Sequence, residues 1–371
     1  MTRRVLIVGG GIAGLSLDLA LREGPWQVEL VERGTGWDQP GAGLAVQPNA
    51  MRALDCLGVG AAVERAGAVI GRFGYYDQYG DLLCDIDLGG LWSAVGPFVG
   101  ITRAALHDVL RSAPGRYRLG TAVTSVTQED RHVTVTFDDA TMAGYDLVVG
   151  ADGINSDVRR LALGGPPPSY AGQMAWRSLA PVRPRSLDGV QFWLGEDRFF
   201  GLCPVGNELT YGFGNLACGR RHEPVSGRAR RLREYFAGFG ELVRQYLAAV
   251  PGDSGIHCSP IEWLPEARWA AGRVVLIGDA AHAMSPMMGQ GGCMAIEDAV
   301  VLADELRRAA DIPAAIAAFT ARRRPRVEWV REQSQALTEL VRLPARIRDR
   351  GLREHGVSAF HDRYRPLVAP P

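Results

Sequence analysis

The chain has 371 residues, with 41 basic and 41 acidic side chains and a formal charge of zero. All 41 basic residues are arginine, so any chemistry that needs a lysine, such as a Schiff base or a P-loop lysine under a phosphate, is excluded. Neutrality also argues against a nucleic-acid binder, which usually carries a basic excess.

Val5 to Val8 is a continuous aliphatic run, the pattern of a strand buried on both faces. Gly9-x-Gly11-x-x-Gly14 follows, and Leu15, Leu17, Leu19 and Leu21 predict a helix that ends near Gly24-Pro25. Val28 to Val31 reads as the next strand and closes on Glu32. This is a βαβ start with a dinucleotide fingerprint in its proper context. Glycine lets the backbone approach a pyrophosphate, and the helix N-terminus offers it N–H donors and a partial positive charge. Glu32, 18 residues after Gly14, stands where a carboxylate accepts from ribose hydroxyls. The motif alone leaves NAD and FAD open.

Between about 71 and 97, and again over 166–271, short aromatic-rich strands alternate with Gly/Pro turns, and Pro166-Pro167-Pro168 marks a boundary. Gly206-Asn207 reads as a two-residue hairpin turn. Such a turn pairs Val205 with Glu208 and Leu202 with Tyr211. Arg198, Phe200, Leu202, Tyr211, Phe213 and Asn215 then share one face, an aromatic wall suited to a flat, partly polar ligand. Val274 to Ile277 predicts another buried strand, leading into Gly278-Asp279. Gly289-Gln290-Gly291-Gly292 carries little side-chain bulk, so a planar ring can rest on its backbone. A helix follows from about Cys293, and three more segments read as helical: 299–308, 314–323 and 327–350. Between 303 and 365 there are 14 Arg against 9 Asp plus Glu, centred on Arg322-Arg323-Arg324-Pro325-Arg326. This excess reads as a solvated helix end.

The six cysteines form no C-x-x-C pair and the histidines show no ligand spacing beside them, so neither a metal site nor disulfides are expected. No apolar run reaches the ~18 residues of a membrane span, and a cytoplasmic protein is expected.

Three segments sharpen the dinucleotide reading. They are Gly9–Gly14, then Asp146-Leu147-Val148-Val149-Gly150-Ala151-Asp152-Gly153, and then Gly278-Asp279-Ala280-Ala281-His282 with Pro286 and Gly289 to Cys293. In this order they resemble the fingerprints of the class A FAD-dependent aromatic monooxygenases, the flavoprotein hydroxylases. The resemblance is strongest to the salicylate hydroxylase, FAD-dependent urate hydroxylase and zeaxanthin epoxidase subgroup. It extends to Gly41–Ala50 and Ile101-Thr102-Arg103.

The resemblance implies an α/β fold of the GR2/PHBH type. A Rossmann-like FAD-binding domain (1–70, 98–165 and 272–310) is interwoven with a mixed β-sheet substrate domain (71–97 and 166–271), followed by a C-terminal helical segment (311–371). FAD contacts are implied for Gly9, Gly11, Ala13, Gly14, Glu32, Arg33, Ala45, Arg103, Val126, Asp152, Asp279, Pro286, Gly289, Gln290, Gly291, Gly292 and Cys293. NADPH or NADH would be the electron donor, O₂ the co-substrate and a C4a-hydroperoxyflavin the oxygenating species. The partner would be a small aromatic substrate, with no nucleic acid, and the protein a monomer or homodimer. Arg198 and Tyr211 are the catalytic candidates, one to stabilise a substrate anion and one to orient it, with Phe200 and Phe213 completing the substrate wall. Trp176-Arg177 matches a Trp-Arg pair of the family and reads as a structural salt bridge; His282 reads as structural. Alternatives are an epoxidase or N-oxygenase of the same fold, or a non-catalytic FAD-binding protein. The halogenases of this fold need a lysine, which this chain lacks.

Overall fold

The computed structural model describes residues 3–37, 42–112 and 115–371; Gly41, the first residue of the Gly41–Ala50 stretch, lies outside them, as do Met1 and Thr2. The N-terminal strand Arg3–Val8 is central to a six-stranded sheet. On one side lie Trp26–Glu32 and Tyr117–Leu119, and on the other Leu147–Gly150, Val274–Leu276 and Ala270–Ala271. All pairs are parallel except the last. The aliphatic runs that form the three middle strands are buried on both faces, as parallel strands flanked by helices must be. Helix Ile12–Leu21 packs between this sheet and the long helix Gly291–Arg308. A Cβ at Gly14 would lie 2.0 Å from the Gly9 carbonyl oxygen, so only glycine lets the helix leave the strand this tightly.

A second, seven-stranded sheet runs in the order Ile256–Trp263, Ser169–Ala180, Leu209–Ala217, Arg198–Val205, Val190–Leu194, Arg72–Asp77, Leu82–Asp87. It is antiparallel apart from the pairing of Val190–Leu194 with Arg72–Asp77. One face carries helices Arg228–Tyr235 and Glu241–Ala249 on a core that includes Trp176, Phe200, Leu202, Phe236 and Tyr246. The other face turns toward the strand Gly43–Val46.

The hairpin in this sheet differs from expectation by one residue. Val205 pairs with Leu209, and the loop contains three residues, Gly206, Asn207 and Glu208, all with positive φ (31°, 53° and 58°). The extra residue lets the turn settle on the Ala66 backbone, whose carbonyl oxygen would lie 2.4 Å from a Cβ at Gly206. Cys203, not Leu202, therefore opposes Tyr211. Because side chains alternate, a one-residue slip moves a whole set to the other face. Phe199, Gly201 and Cys203 share a face with Tyr211, Phe213 and Asn215, while Arg198, Phe200 and Leu202 point the opposite way.

The C-terminal region contains the helices Ile312–Arg342 and Ala345–Tyr364. The expected break at Pro325 does not occur; the helix runs through it and stops before Pro344. The residues on either side of the proline are pinned to the neighbouring helix. Arg323 donates to Glu297 (2.6 Å) and Asp298 (2.8 Å), and Arg326 to Glu297 (2.8 Å). These charge-assisted bonds hold the turn that lacks one backbone N–H. The arginine run is thus not a solvated helix end: Arg323 is 0% exposed, and Arg322 binds Asp304 and Glu305. Among the described residues, no helix is long and apolar enough to cross a membrane.

Candidate functional site

The glycine turn after Arg3–Val8 borders a groove of about 320 Å³, lined by Gly9, Gly11, Glu32, Arg33, Arg103 and Asp152 together with Thr121 to Val123. The glycines of this turn serve different ends. Gly9 has φ 108°, and its Cβ would lie 2.4 Å from the Ala151 carbonyl oxygen, so it is required by the fold. A Cβ at Gly11 would meet nothing within 4 Å. Packing does not demand glycine there, and the open space beside it belongs to the groove. Gly11 caps helix Ile12–Leu21 without any side-chain bond, so the first N–H groups keep their capacity to bind an anion.

Glu32 fastens the groove wall, accepting from the Gly10 and Gly34 amides at 2.8 Å each. Burial raises the Asp152 pKa, against bonds from the Ser156 side chain and the Val158 amide, and one of its oxygens has no hydrogen-bond partner among the described residues. Arg103 opens the helix Arg103–Leu110, and no hydrogen bond of its guanidinium is found among the described residues. Burial lowers its pKa and Asp279 counters this, which places Arg103 between the groove and the next cavity.

That cavity measures about 470 Å³ and lies between the seven-stranded sheet, the strand Gly43–Val46 and the turns around Asp279 and Gly289. One side is backbone: the strand Gly43–Val46 and the turn Gly289 to Gly292. The other side is aromatic. Phe73 stacks on Phe192 at 5.2 Å, Phe213 meets Phe192 edge-on at 5.1 Å, and Tyr211 lies 5.1 Å from Phe213. Tyr211 rests on the backbone of Gly43, where a Cβ would lie 2.6 Å from its ring. Arg177, Asn215, Ser259 and Asp279 add polar groups to the lining. Arg177 donates to the Ser259 hydroxyl at 3.1 Å. Burial raises the Tyr211 pKa, and the adjacent Arg177 guanidinium works against that rise.

The glycine turn is held from behind. Met288 turns its carbonyl to the Gln47 amide (2.6 Å) and the Tyr364 hydroxyl (3.1 Å). Gln290 binds Gln47 (2.6 Å) and Asn49 (3.0 Å), and Asn49 reaches Glu297 (3.0 Å). Helix Gly291–Arg308 therefore starts at the cavity with no side-chain cap. Deeper still, Asp298 accepts from the Gly278 amide (2.9 Å), His282 (2.6 Å) and Arg323 (2.8 Å). Burial alone would raise the Asp298 pKa; His282 and Arg323 outweigh it and hold the carboxyl at about 2.

A groove built for a pyrophosphate, continuous in charge with a cavity floored by glycine backbone, fits an extended dinucleotide with a planar ring. The protein family described as "FAD binding domain" matches residues 2–334. The chain belongs to this family. It is an FAD-dependent monooxygenase, similar along most of its length to aurachin C monooxygenase/isomerase of Stigmatella aurantiaca (33% identity, 93% of this chain and 96% of that one). It is likewise similar to the FAD-dependent urate hydroxylase of Klebsiella pneumoniae (32%, covering 87% and 86%). Among solved structures, Klebsiella pneumoniae HpxO complexed with FAD and uric acid superposes with a TM-score of 0.91 at 28% identity, covering 99% of this chain and 96% of that one.

The residues expected to serve FAD fall into three groups. Gly9, Gly11, Glu32, Arg33, Arg103 and Asp152 line the groove. Ala45, Asp279, Pro286, Gly289, Gly291 and Gly292 line the cavity. Ala13, Gly14, Gln290 and Cys293 lie behind these surfaces, in packing or hydrogen bonding. Burial pushes the Cys293 thiol up to about 12, so it is a neutral packing group. Val126 lines neither space; it pairs with Val135 in a small three-stranded sheet, and Val123 is the groove residue of that strand.

On the substrate side, Tyr211 and Phe213 line the cavity, but Arg198 and Phe200 do not. Arg198 donates to the Tyr235 and Glu196 carbonyls (2.9 and 3.3 Å), and Phe200 packs on Phe236 at 4.9 Å. The register slip is the cause of both. Arg177, expected in a structural salt bridge, has no carboxylate within ion-pair distance among the described residues; it faces the cavity instead. Sequence reasoning also missed the clamp of Gln47, Asn49, Tyr364, Asp298 and Arg323. Its only local signal was polar residues where helices are otherwise apolar.

Proposed function

We propose that this flavoprotein hydroxylates an aromatic or heteroaromatic small molecule with NADH or NADPH and O₂. The balance is ring C–H plus O₂, NAD(P)H and a proton, giving ring C–OH, water and NAD(P)⁺. FAD, when bound, supplies the electron transfer between nicotinamide and oxygen. The chain supplies binding, orientation and exclusion of water. Gly11, Glu32, Arg33, Arg103 and Asp152 would hold the nucleotide and pyrophosphate portion, and Ala45, Asp279, Pro286 and Gly289 to Gly292 the ring portion. The uncapped start of helix Gly291–Arg308 favours negative charge developing on a ring beside it, by typically ~0.3–1 kcal/mol. Tyr211 orients the substrate and Phe213 packs on it.

One observation carries the reading: a glycine-backbone floor and an aromatic wall face each other across a single space of about 470 Å³. Such a space holds two flat rings and little water. A relative named a urate hydroxylase is consistent with a ring heterocycle as substrate.

The test is a panel of aromatic and heteroaromatic compounds given to the yellow holoenzyme with NADH and NADPH. The expected result is faster nicotinamide oxidation with at least one ring compound, together with a product one oxygen atom heavier by mass spectrometry. If no compound stimulates oxidation or gains oxygen, the hydroxylase reading fails.

A further inference from the structure

We propose that His107 is a positioning residue of the dinucleotide turn: by holding the Gly10 carbonyl, it aims the Gly11 amide into the groove, toward the pyrophosphate of FAD. The proposal rests on the placing of that pyrophosphate at Gly11 given above.

His107 lies on the helix Arg103–Leu110 and is buried, with its Nε2 2.7 Å from the Gly10 carbonyl oxygen. A carbonyl can only accept, so Nε2 carries the proton. Burial holds the imidazole pKa below its ordinary value, against the Gly10 bond, so near pH 7 the ring is neutral and has this one N–H to give. Gly10 is fastened at its other end too, where its amide donates to Glu32 at 2.8 Å. Trp37 covers both partners. Its ring lies 5.5 Å from the imidazole, and a Cβ at Gly10 would stand 2.7 Å from it. Gly10 is thus the anchored member of the turn, and its neighbours Gly9 and Gly11 are the ones that line the groove.

The peptide between Gly10 and Gly11 is trans and planar, so its C=O and N–H point in opposite directions. Fixing the C=O on His107 fixes the Gly11 N–H on the side away from the imidazole. Gly11 lines the groove, and no acceptor for its amide is found among the described residues. A peptide with glycine on both sides is the easiest kind to turn over. Turned over, it would show an anion a carbonyl oxygen in place of an N–H. His107 therefore converts a loose peptide into a fixed donor beside the uncapped helix start. The same helix brings Arg103, one turn earlier, to the groove lining. His107 itself lines neither the groove nor the cavity, and acts through Gly10.

The test compares His107→Gln, whose amide nitrogen can stand where Nε2 does, with His107→Met, of the same length but without an N–H. Each apoprotein is titrated with FAD, and phosphorus NMR spectra of the refilled holoenzymes are recorded without nicotinamide and hence without turnover. His107→Gln is expected to bind FAD within about threefold of wild type and to keep the bound pyrophosphate resonances. His107→Met is expected to bind about tenfold more weakly, the range of one hydrogen bond, and to shift those resonances. A side chain that merely filled space would lower Tm and leave the phosphorus spectrum alone. Should His107→Met fail to fold, His107→Asn, whose amide is too short to reach Gly10, is expected to show the same weakening and shift. The proposal is overturned if the variant without the bond keeps wild-type affinity and resonances, or if His107→Gln loses as much as that variant. Gly11→Ala separates the two claims. If it binds FAD weakly while the His107 variants bind normally, the pyrophosphate placement stands and the role of His107 falls; if all bind like wild type, both fall. Turnover plays no part, so a failed hydroxylation panel would leave the outcome readable.

Discussion

The FAD groove and the substrate sheet place their functional groups by different means. In the groove, position follows from backbone: glycines, a helix start, and a carboxylate at a strand end, all within about 30 residues of one another. In the sheet, position follows from side-chain parity across a hairpin, and one added loop residue decides which of Arg198 and Phe199 meets the cavity. The first kind of site tolerates no Cβ; the second tolerates many side chains but no slip.

The sharpest way to test that contrast is to add atoms to two neighbouring glycines. Gly14→Val places carbon about where the Gly9 carbonyl oxygen stands, so no soluble protein is expected, with a destabilisation beyond about 4 kcal/mol. Next in size, Arg323→Met leaves Glu297 and Asp298 buried with fewer partners; denaturant titration should show a loss of about 3–5 kcal/mol. Gly11→Ala should fold with an unchanged Tm, because its Cβ meets open space, yet bind FAD at least about tenfold more weakly, a cost of ~1.4 kcal/mol. If Gly11→Ala instead unfolds while keeping its FAD, the division between packing glycines and ligand glycines is wrong.

The clamp behind the turn should respond to acid. The Asp298 pKa falls from 3.8 to about 2 on folding, so its stabilising contribution is complete above pH 4 and is lost as pH drops toward 2. Thermal melts between pH 5 and 2 should therefore fall less steeply in Asp298→Asn, itself less stable at neutral pH. Tyr364→Phe removes one hydroxyl from Met288 and should cost about 0.5–1.5 kcal/mol, visible as weaker FAD retention on dilution. The smallest effect belongs to Arg198→Ala. Among the described residues its guanidinium hydrogen-bonds only to backbone carbonyls outside the cavity, so kcat/KM should be unchanged. A large loss there would restore the two-residue turn.

Much of the groove was legible because its signals are local. Gly9, Gly11, Gly14 and Glu32 sit within one βαβ unit, where spacing and geometry are nearly the same statement. The glycine turn after Asp279 was legible for the same reason. The substrate wall was half legible: Tyr211 and Phe213 come from their own strand's alternation, while Arg198 and Phe200 needed the register of a neighbour. That register depends on a turn lying on Ala66, about 140 residues away in sequence. Arg177 was hidden differently. A Trp-Arg pair in a strand looks the same whether the arginine meets an acid or an empty space, and only the third dimension says which. The helix through Pro325 was misread because its support comes from Glu297 and Asp298 on another helix.

The interleaving of the two sheets also governs how the protein comes into being. The strand Arg3–Val8 needs Leu147–Gly150, made well after it, as a parallel neighbour, and that strand in turn needs Val274–Leu276. Strands 72–77 and 82–87 are made early but wait for 190–194 to complete their sheet. Neither sheet can close in the order of synthesis, and long-range parallel pairing is intrinsically slow. The apolar strand Arg3–Val8 and its neighbour Leu147–Gly150 stay partly uncovered until Val274–Leu276 emerges, so yield on overexpression should rise at low temperature.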